Sequence, residues 1–295
     1  MLNLKQILED HSLWLSSNKT KGKQADLSNQ DLSGTNLTYA NLAYANLENA
    51  NLANASLYNA NLTSTNLTNA NLENASLKDA NLYNANLTST NLYRTNLYNV
   101  DLTGADLSYA YLENANLENA NLYYANLANA NLTNANLTNA NLQNANLENA
   151  SLAYANLIGA NLIGANLTYT NLYYANLANA NLANAILYNA SLANANLAYA
   201  NLANANLYNA NLKDASLYNA NLKDASLYNA SLENANLVNA NLTNANLENI
   251  KGLKVFKCFY VENNEKKFNY FLHSVEAKKE MSKRLANRQC SWVEQ

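Results

Sequence analysis

Ala45-Asn46-Leu47-Glu48-Asn49-Ala50-Asn51-Leu52-Ala53-Asn54 is two copies of the five-residue pattern that organises most of this chain. Leu stands at every fifth position from Leu27 to Leu247, forty-five times without exception. Two residues before each Leu stands Ala in thirty-eight of the forty-five copies; Gln30, Thr35, Thr65, Thr90, Thr95, Val100 and Thr170 are the departures. The residue between them is Asn, Asp or Ser, except at Tyr111 and Ile186. A helix cannot use this period. Five residues advance about 500°, so successive Leu side chains spiral around the axis by about 140° and no apolar stripe forms. Extended backbone can use it. Ala and Leu, two apart, point to one side and the polar residue between them to the other. The two remaining positions suit a turn, and Asn tolerates conformations there that most residues avoid. So short a side buries nothing alone and must stack on its neighbours. The pattern therefore predicts an all-β solenoid over 25–249, with Leu over Leu and Ala over Ala.

Composition and charge narrow the function. The chain has 295 residues, no proline, six glycines and only 13% charged residues. Its net charge of −3 divides unevenly: residues 1–24 carry +2, 25–249 carry −10 and 250–295 carry +5. Two cysteines, Cys258 and Cys290, are too few for a disulfide framework or a metal cluster. His11 and His273, the only histidines, sit near opposite ends of the chain. No pairing of nucleophile with base, no metal-ligand spacing and no phosphate loop can be read. The sequence predicts no catalytic residues, no metal and no cofactor. No apolar run approaches the length of a membrane span, and the start of the chain is a poor signal peptide. A cytoplasmic protein without membrane contact is expected.

Motifs such as Ala45-Asn46-Leu47-Glu48-Asn49 and Ala105-Asp106-Leu107-Ser108-Tyr109 resemble the A(D/N)LXX signature of the pentapeptide-repeat family, and the resemblance runs from Ala25 to Asn249. Lys21-Gly22-Lys23-Gln24-Ala25-Asp26-Leu27 looks like a common lead-in to such arrays. The resemblance implies a right-handed quadrilateral β-helix with four repeats per coil, hence about eleven coils and a rod about 50 Å long at strand spacing. It also implies a bacterial protein. Most members of the family have no known biochemical activity, and a minority bind DNA gyrase or topoisomerase IV by imitating duplex DNA.

The flanks read as closures for the open ends of the rod. Leu4, Ile7, Leu8, His11, Trp14 and Leu15 recur at helical spacing, so 2–16 is expected to be an N-terminal capping helix within a 1–24 lead-in. Residues 250–295 are expected to form a C-terminal α/β cap. Lys254–Val261 and Lys267–Leu272 read as strands joined by a turn at Glu262–Glu265, and Ser274–Gln289 as a helix. Homodimerisation is a second role for this segment.

Candidate partner surfaces follow from the outward positions. With four repeats per coil, Tyr188, Tyr208 and Tyr228 stack on one face. Arg94, the only arginine of the array, has Tyr83, Tyr93, Tyr98 and Tyr109 around it in sequence, and Thr90, Thr95 and Val100 replace Ala there. Either a partner site or a local bulge explains that stretch. Ile158-Gly159 and Ile163-Gly164 form a weaker candidate. The function expected is a non-enzymatic structural or protein–protein interaction scaffold with an unidentified protein partner and no direct nucleic-acid binding. The alternative is a DNA-mimicking modulator of DNA gyrase or topoisomerase. The array's −10 is sparse against DNA, which carries one negative charge per about 1.7 Å, and the acids read as scattered over the faces.

Overall fold

The computed structural model describes residues 3–253, 255–262 and 265–272. Its architecture is a β-solenoid. Parallel bridges join each inter-Ala–Leu residue to its counterpart four repeats on, from Asp26↔Asn46 to Ser231↔Lys251 without a gap. Four repeats therefore make one coil, and the coil has four sides. They are numbered here by the columns that begin at Asp26 (side one), Asp31 (side two), Asn36 (side three) and Asn41 (side four).

One repeat shows why the chain winds this way. In Ala135-Asn136-Leu137-Thr138-Asn139 every backbone N–H is satisfied. Asn136 donates back to the Ala115 carbonyl at 2.9 Å, while Leu137 and Asn139 donate forward to Asn156 and Ile158 at 2.7 and 2.9 Å. Ala135 closes the preceding turn onto the Leu132 carbonyl at 3.0 Å. The fifth donor, Thr138 N–H, goes to the Asn136 side-chain oxygen at 3.2 Å. This last bond explains why the position before Leu is so often Asn or Asp: the side chain serves the one N–H that the coils leave over.

The corner has an equally strict demand. In every repeat the second residue after Leu has positive φ, from Asn29 at 58° to Asn249 at 57°. The residue before it does not, so the four-residue turn is of type II, which requires the left-handed region at its third position. Asn tolerates that region best among residues with a side chain. Yet Tyr39, Tyr44, Tyr109, Tyr124, Tyr154, Tyr169, Tyr174, Tyr199 and Arg94 also hold it.

The Leu and Ala columns form one continuous core along the array, and most of its Leu side chains are wholly shielded. Alanine's small volume leaves the narrow interior to one Leu per side. Where Thr replaces Ala, the structure shows no bulge. Thr65, Thr90, Thr95 and Thr170 are buried, and each hydroxyl donates at 2.8 Å to a Leu carbonyl of the coil before: Leu42, Leu67, Leu72 and Leu147. The bridges run through this stretch unbroken.

Helix α1, Leu4–Ser16, lies at the N-terminal end. Its N-cap Asn3 accepts from Gln6 N–H at 3.3 Å, and Leu4, Ile7 and Leu8 pack on the core of the solenoid. His11 is buried; its Nδ1 accepts the Ala25 N–H at 3.0 Å and its ring stacks on Trp14 at 5.7 Å. Gly22, at φ 71°, lets the lead-in pass against the backbone of Asp10 and Trp14, where any Cβ would collide. Past the array, strands β1 (Val255–Glu262) and β2 (Glu265–Leu272) pair antiparallel, Glu262 opposite Glu265. The hairpin expected from the sequence is thus present, its first strand shifted by one residue and its second longer by two. The helix expected over 274–289 lies outside the described residues.

Candidate interaction surface

The straight columns fix where each candidate side chain stands. Tyr188, Tyr208 and Tyr228 occupy the same position of side one in successive coils. Their rings stack at 5.2 Å, tilted by 10° and 12°. Tyr169, at the corner above, meets Tyr188 edge-on at 6.0 Å, and the Asn249 amide donates to the Tyr228 hydroxyl at 2.9 Å. The column is therefore a row of four tyrosines in contact, of which the outermost, Tyr169, stays largely exposed.

The residues around Arg94 do not form one cluster. The Arg94 guanidinium lies over the Tyr93 ring at 4.8 Å, on side two. Tyr98 is on side three, where the Lys78 ammonium lies over it at 5.3 Å. Tyr109 stands at the corner after side one in the following coil, 57% exposed, and Tyr83 is on side four. Ile158 and Ile163 fall on sides three and four.

Two surface features escaped the reading of the sequence. A corner Tyr recurrently meets, edge to face, a second Tyr that stands one position short of a full coil further on: Tyr39 with Tyr58 at 5.6 Å, Tyr154 with Tyr173 at 5.8 Å, Tyr199 with Tyr218 at 5.6 Å. At Tyr154 this grows into a three-ring cluster. Tyr174 stacks on Tyr154 at 5.5 Å and meets Tyr173 at 4.5 Å. All three are on side two and stay 53%, 48% and 37% exposed for Tyr154, Tyr174 and Tyr173. Desolvation and the neighbouring Tyr174 raise the pKa of the Tyr173 hydroxyl, and the bond to Tyr124 does the same for Tyr123. The cluster lies in a belt, 149–212, that contains no charged residue. The second feature is the acids. Ten of the array's fourteen project from sides one and two, so they are concentrated rather than scattered.

Among the described residues no group of three His, Cys, Asp or Glu side chains could hold a metal ion, and no helix is long and apolar enough to cross a membrane.

The model of the family described as pentapeptide repeats matches eight copies, over ranges that together run from 31 to 251. This chain belongs to the pentapeptide-repeat family. Among solved structures it is similar to HetL, a pentapeptide-repeat protein involved in heterocyst differentiation regulation from the cyanobacterium Nostoc sp. strain PCC 7120. The two are 31% identical over 84% of this chain and 98% of HetL, with a TM-score of 0.36. Rfr23 from the cyanobacterium Cyanothece 51142 is 39% identical over 31% of this chain and 63% of its own, with a TM-score of 0.30. The plasmid-mediated fluoroquinolone resistance protein QnrB1 is 14% identical over 75% and 91%, with a TM-score of 0.28. No curated protein sequence matches this pentapeptide-repeat chain.

Proposed function

We propose that this chain is a non-enzymatic scaffold that binds protein partners along the sides of a right-handed rod of about eleven coils in the bacterial cytoplasm. Helix α1 closes one end of the rod and residues 250–295 the other. The observation that carries the reading is the unbroken bridge ladder from Asp26 to Lys251. It sets outward side chains in straight, charge-poor columns, which is a template for another surface rather than a cleft for a substrate. Lys78, Arg94, Lys213 and Lys223 are the only bases of the array. They are too few to meet a nucleic-acid backbone, so the partner is a protein. Affinity capture from host lysate tests this, with the intact chain and with residues 250–295 removed as baits. A specific protein retained by both supports binding along the rod. Retention of nucleic acid, or of nothing beyond the control resin, contradicts it.

A second reading, a DNA-mimicking modulator of gyrase or topoisomerase, is favoured by the concentration of acids on two adjacent sides. Its weakness is density: a rod about 50 Å long would need about 30 charges to match DNA, and the array has fourteen acids and four bases. Inhibition of gyrase supercoiling, or protection from quinolones, by micromolar protein would select this reading. No effect would remove it.

A further inference from the structure

Side two is arranged symmetrically about its aromatic cluster. Its ladder takes nine steps from Asn71 to Lys251. The midpoint falls between the coil of Tyr154 and the coil of Tyr174. Moving outward from it by equal numbers of coils, Thr133 corresponds to Ala193, both uncharged. Glu113 then corresponds to Lys213 at the same position of the repeat, Arg94 to Glu233 one residue across the side, and Glu73 to Lys251 two residues across. Each of these pairs is of opposite sign, and Asp214 is left facing neutral Asn114. Side one offers no such match, because Asp26, Glu48, Asp106, Glu148 and Glu248 are all acids.

We propose that a second copy of this chain packs antiparallel on side two, about a two-fold axis between the coils of Tyr154 and Tyr174. A two-fold axis in the contact plane, perpendicular to the rod, reverses the order of the coils and keeps the position across the side. Tyr154 then meets the second copy's Tyr174. Lys213 then lies directly opposite its Glu113, while Glu233 reaches its Arg94 and Lys251 its Glu73 one and two residues across the side, and each contact occurs twice because the interface is self-complementary. The 3.2 Å ion pair between Lys213 and Glu233 within one chain joins this row. The uncharged belt with its tyrosines supplies the centre, where interfaces are poor in charge and rich in Tyr.

Nine coil steps of about 4.8 Å and a side of at most about 16 Å give at most about 700 Å² per copy, an upper bound that reaches the range of stable dimers. The contact is between copies, so it goes beyond the scaffold reading and does not depend on it.

Sedimentation of the full chain at micromolar concentration tests the proposal. Twice the chain mass is expected. Arg94→Glu or Glu113→Lys alone should weaken the dimer about tenfold or more, and a charge swap of the whole row, with Arg94→Glu, Glu113→Lys, Lys213→Glu and Glu233→Lys together, should restore it because it keeps the pair within each chain as well as those between copies. Tyr154→Asn with Tyr174→Asn should give a folded monomer whose melt no longer shifts with protein concentration, because Asn fills most equivalent corners. Loss of the contact is thereby separated from loss of the fold. A monomeric parent chain overturns the proposal. So does a dimer that survives the tyrosine changes, or one lost only on removing 250–295, which would put the contact at the C-terminal end. Failure of the charge swap to restore association overturns the antiparallel register.

Discussion

The corner residue of each repeat carries a cost that depends on its identity. A left-handed backbone costs an ordinary L-residue about 1–2 kcal/mol, and Asn less. Tyr109, exposed and without a ring partner, holds that conformation at φ 60°. Tyr109→Asn is expected to stabilise the chain by roughly 1 kcal/mol in denaturant melts; unchanged or lower stability would mean that the ring repays its strain through cover of Ser108, which is buried beside it. Inside the rod, Thr90→Val should cost no more than about 1 kcal/mol, since the Leu67 carbonyl keeps the Ala70 N–H as donor at 2.9 Å. Leu122→Ala, which opens a cavity in the fully shielded column, should cost about 3–5 kcal/mol in the same melts. The Leu and Ala columns were legible because a period is visible in one dimension. The reason for Asn before Leu was not: its bond to the N–H two residues on appears only once the coils have claimed the other donors.

At the scale of elements, helix α1 is held by a histidine whose protonation state matters. Ala25 N–H donates to Nδ1, so the proton of neutral His11 is on Nε2. Nε2 is buried and has no hydrogen-bond partner. Burial lowers the His11 pKa below the ordinary value of about 6.5. The Ala43 backbone opposes this, with geometry that falls short of a hydrogen bond. Protonation would put two donors, Nδ1–H and Ala25 N–H, face to face. In the unfolded chain the same imidazole takes up a proton more readily. The stability of the helix contact is therefore complete above pH 6.5 and is lost as pH falls below it toward the depressed native value. Trp14 stacks on His11, so its fluorescence, in a Trp292→Phe background, should change as pH drops through this window. His11→Gln should flatten that change, and a response that persists in the variant would assign it to another group. The spacing in 2–16 announced a helix with an apolar face. The buried, half-satisfied imidazole on that face was not legible, because its partner Ala25 is brought up by the turn at Gly22.

For the whole molecule, what decides the surface is which residues stand one coil apart. The sequence alone supplied a period of five; the grouping of four repeats into a coil came from resemblance to a family. That is why the stack of Tyr188, Tyr208 and Tyr228 could be anticipated while the edge-to-face Tyr pairs, the side-two cluster and the concentration of acids were missed. Each of those depends on a corner side chain leaning onto the following coil or on the side to which a residue belongs. The central claim is the four-repeat coil itself, and one distance tests it. Thr63 and Ala203 lie in one column of side four, seven bridges apart. Thr63→Cys with Ala203→Cys, in a Cys258→Ser and Cys290→Ser background, carries two spin labels, and unlabelled chain is added to dilute contacts between copies. At about 4.8 Å per coil, pulsed electron–electron resonance should give a single distribution centred near about 34 Å. A broad distribution, or a centre displaced by more than about two coil spacings, would contradict the coil.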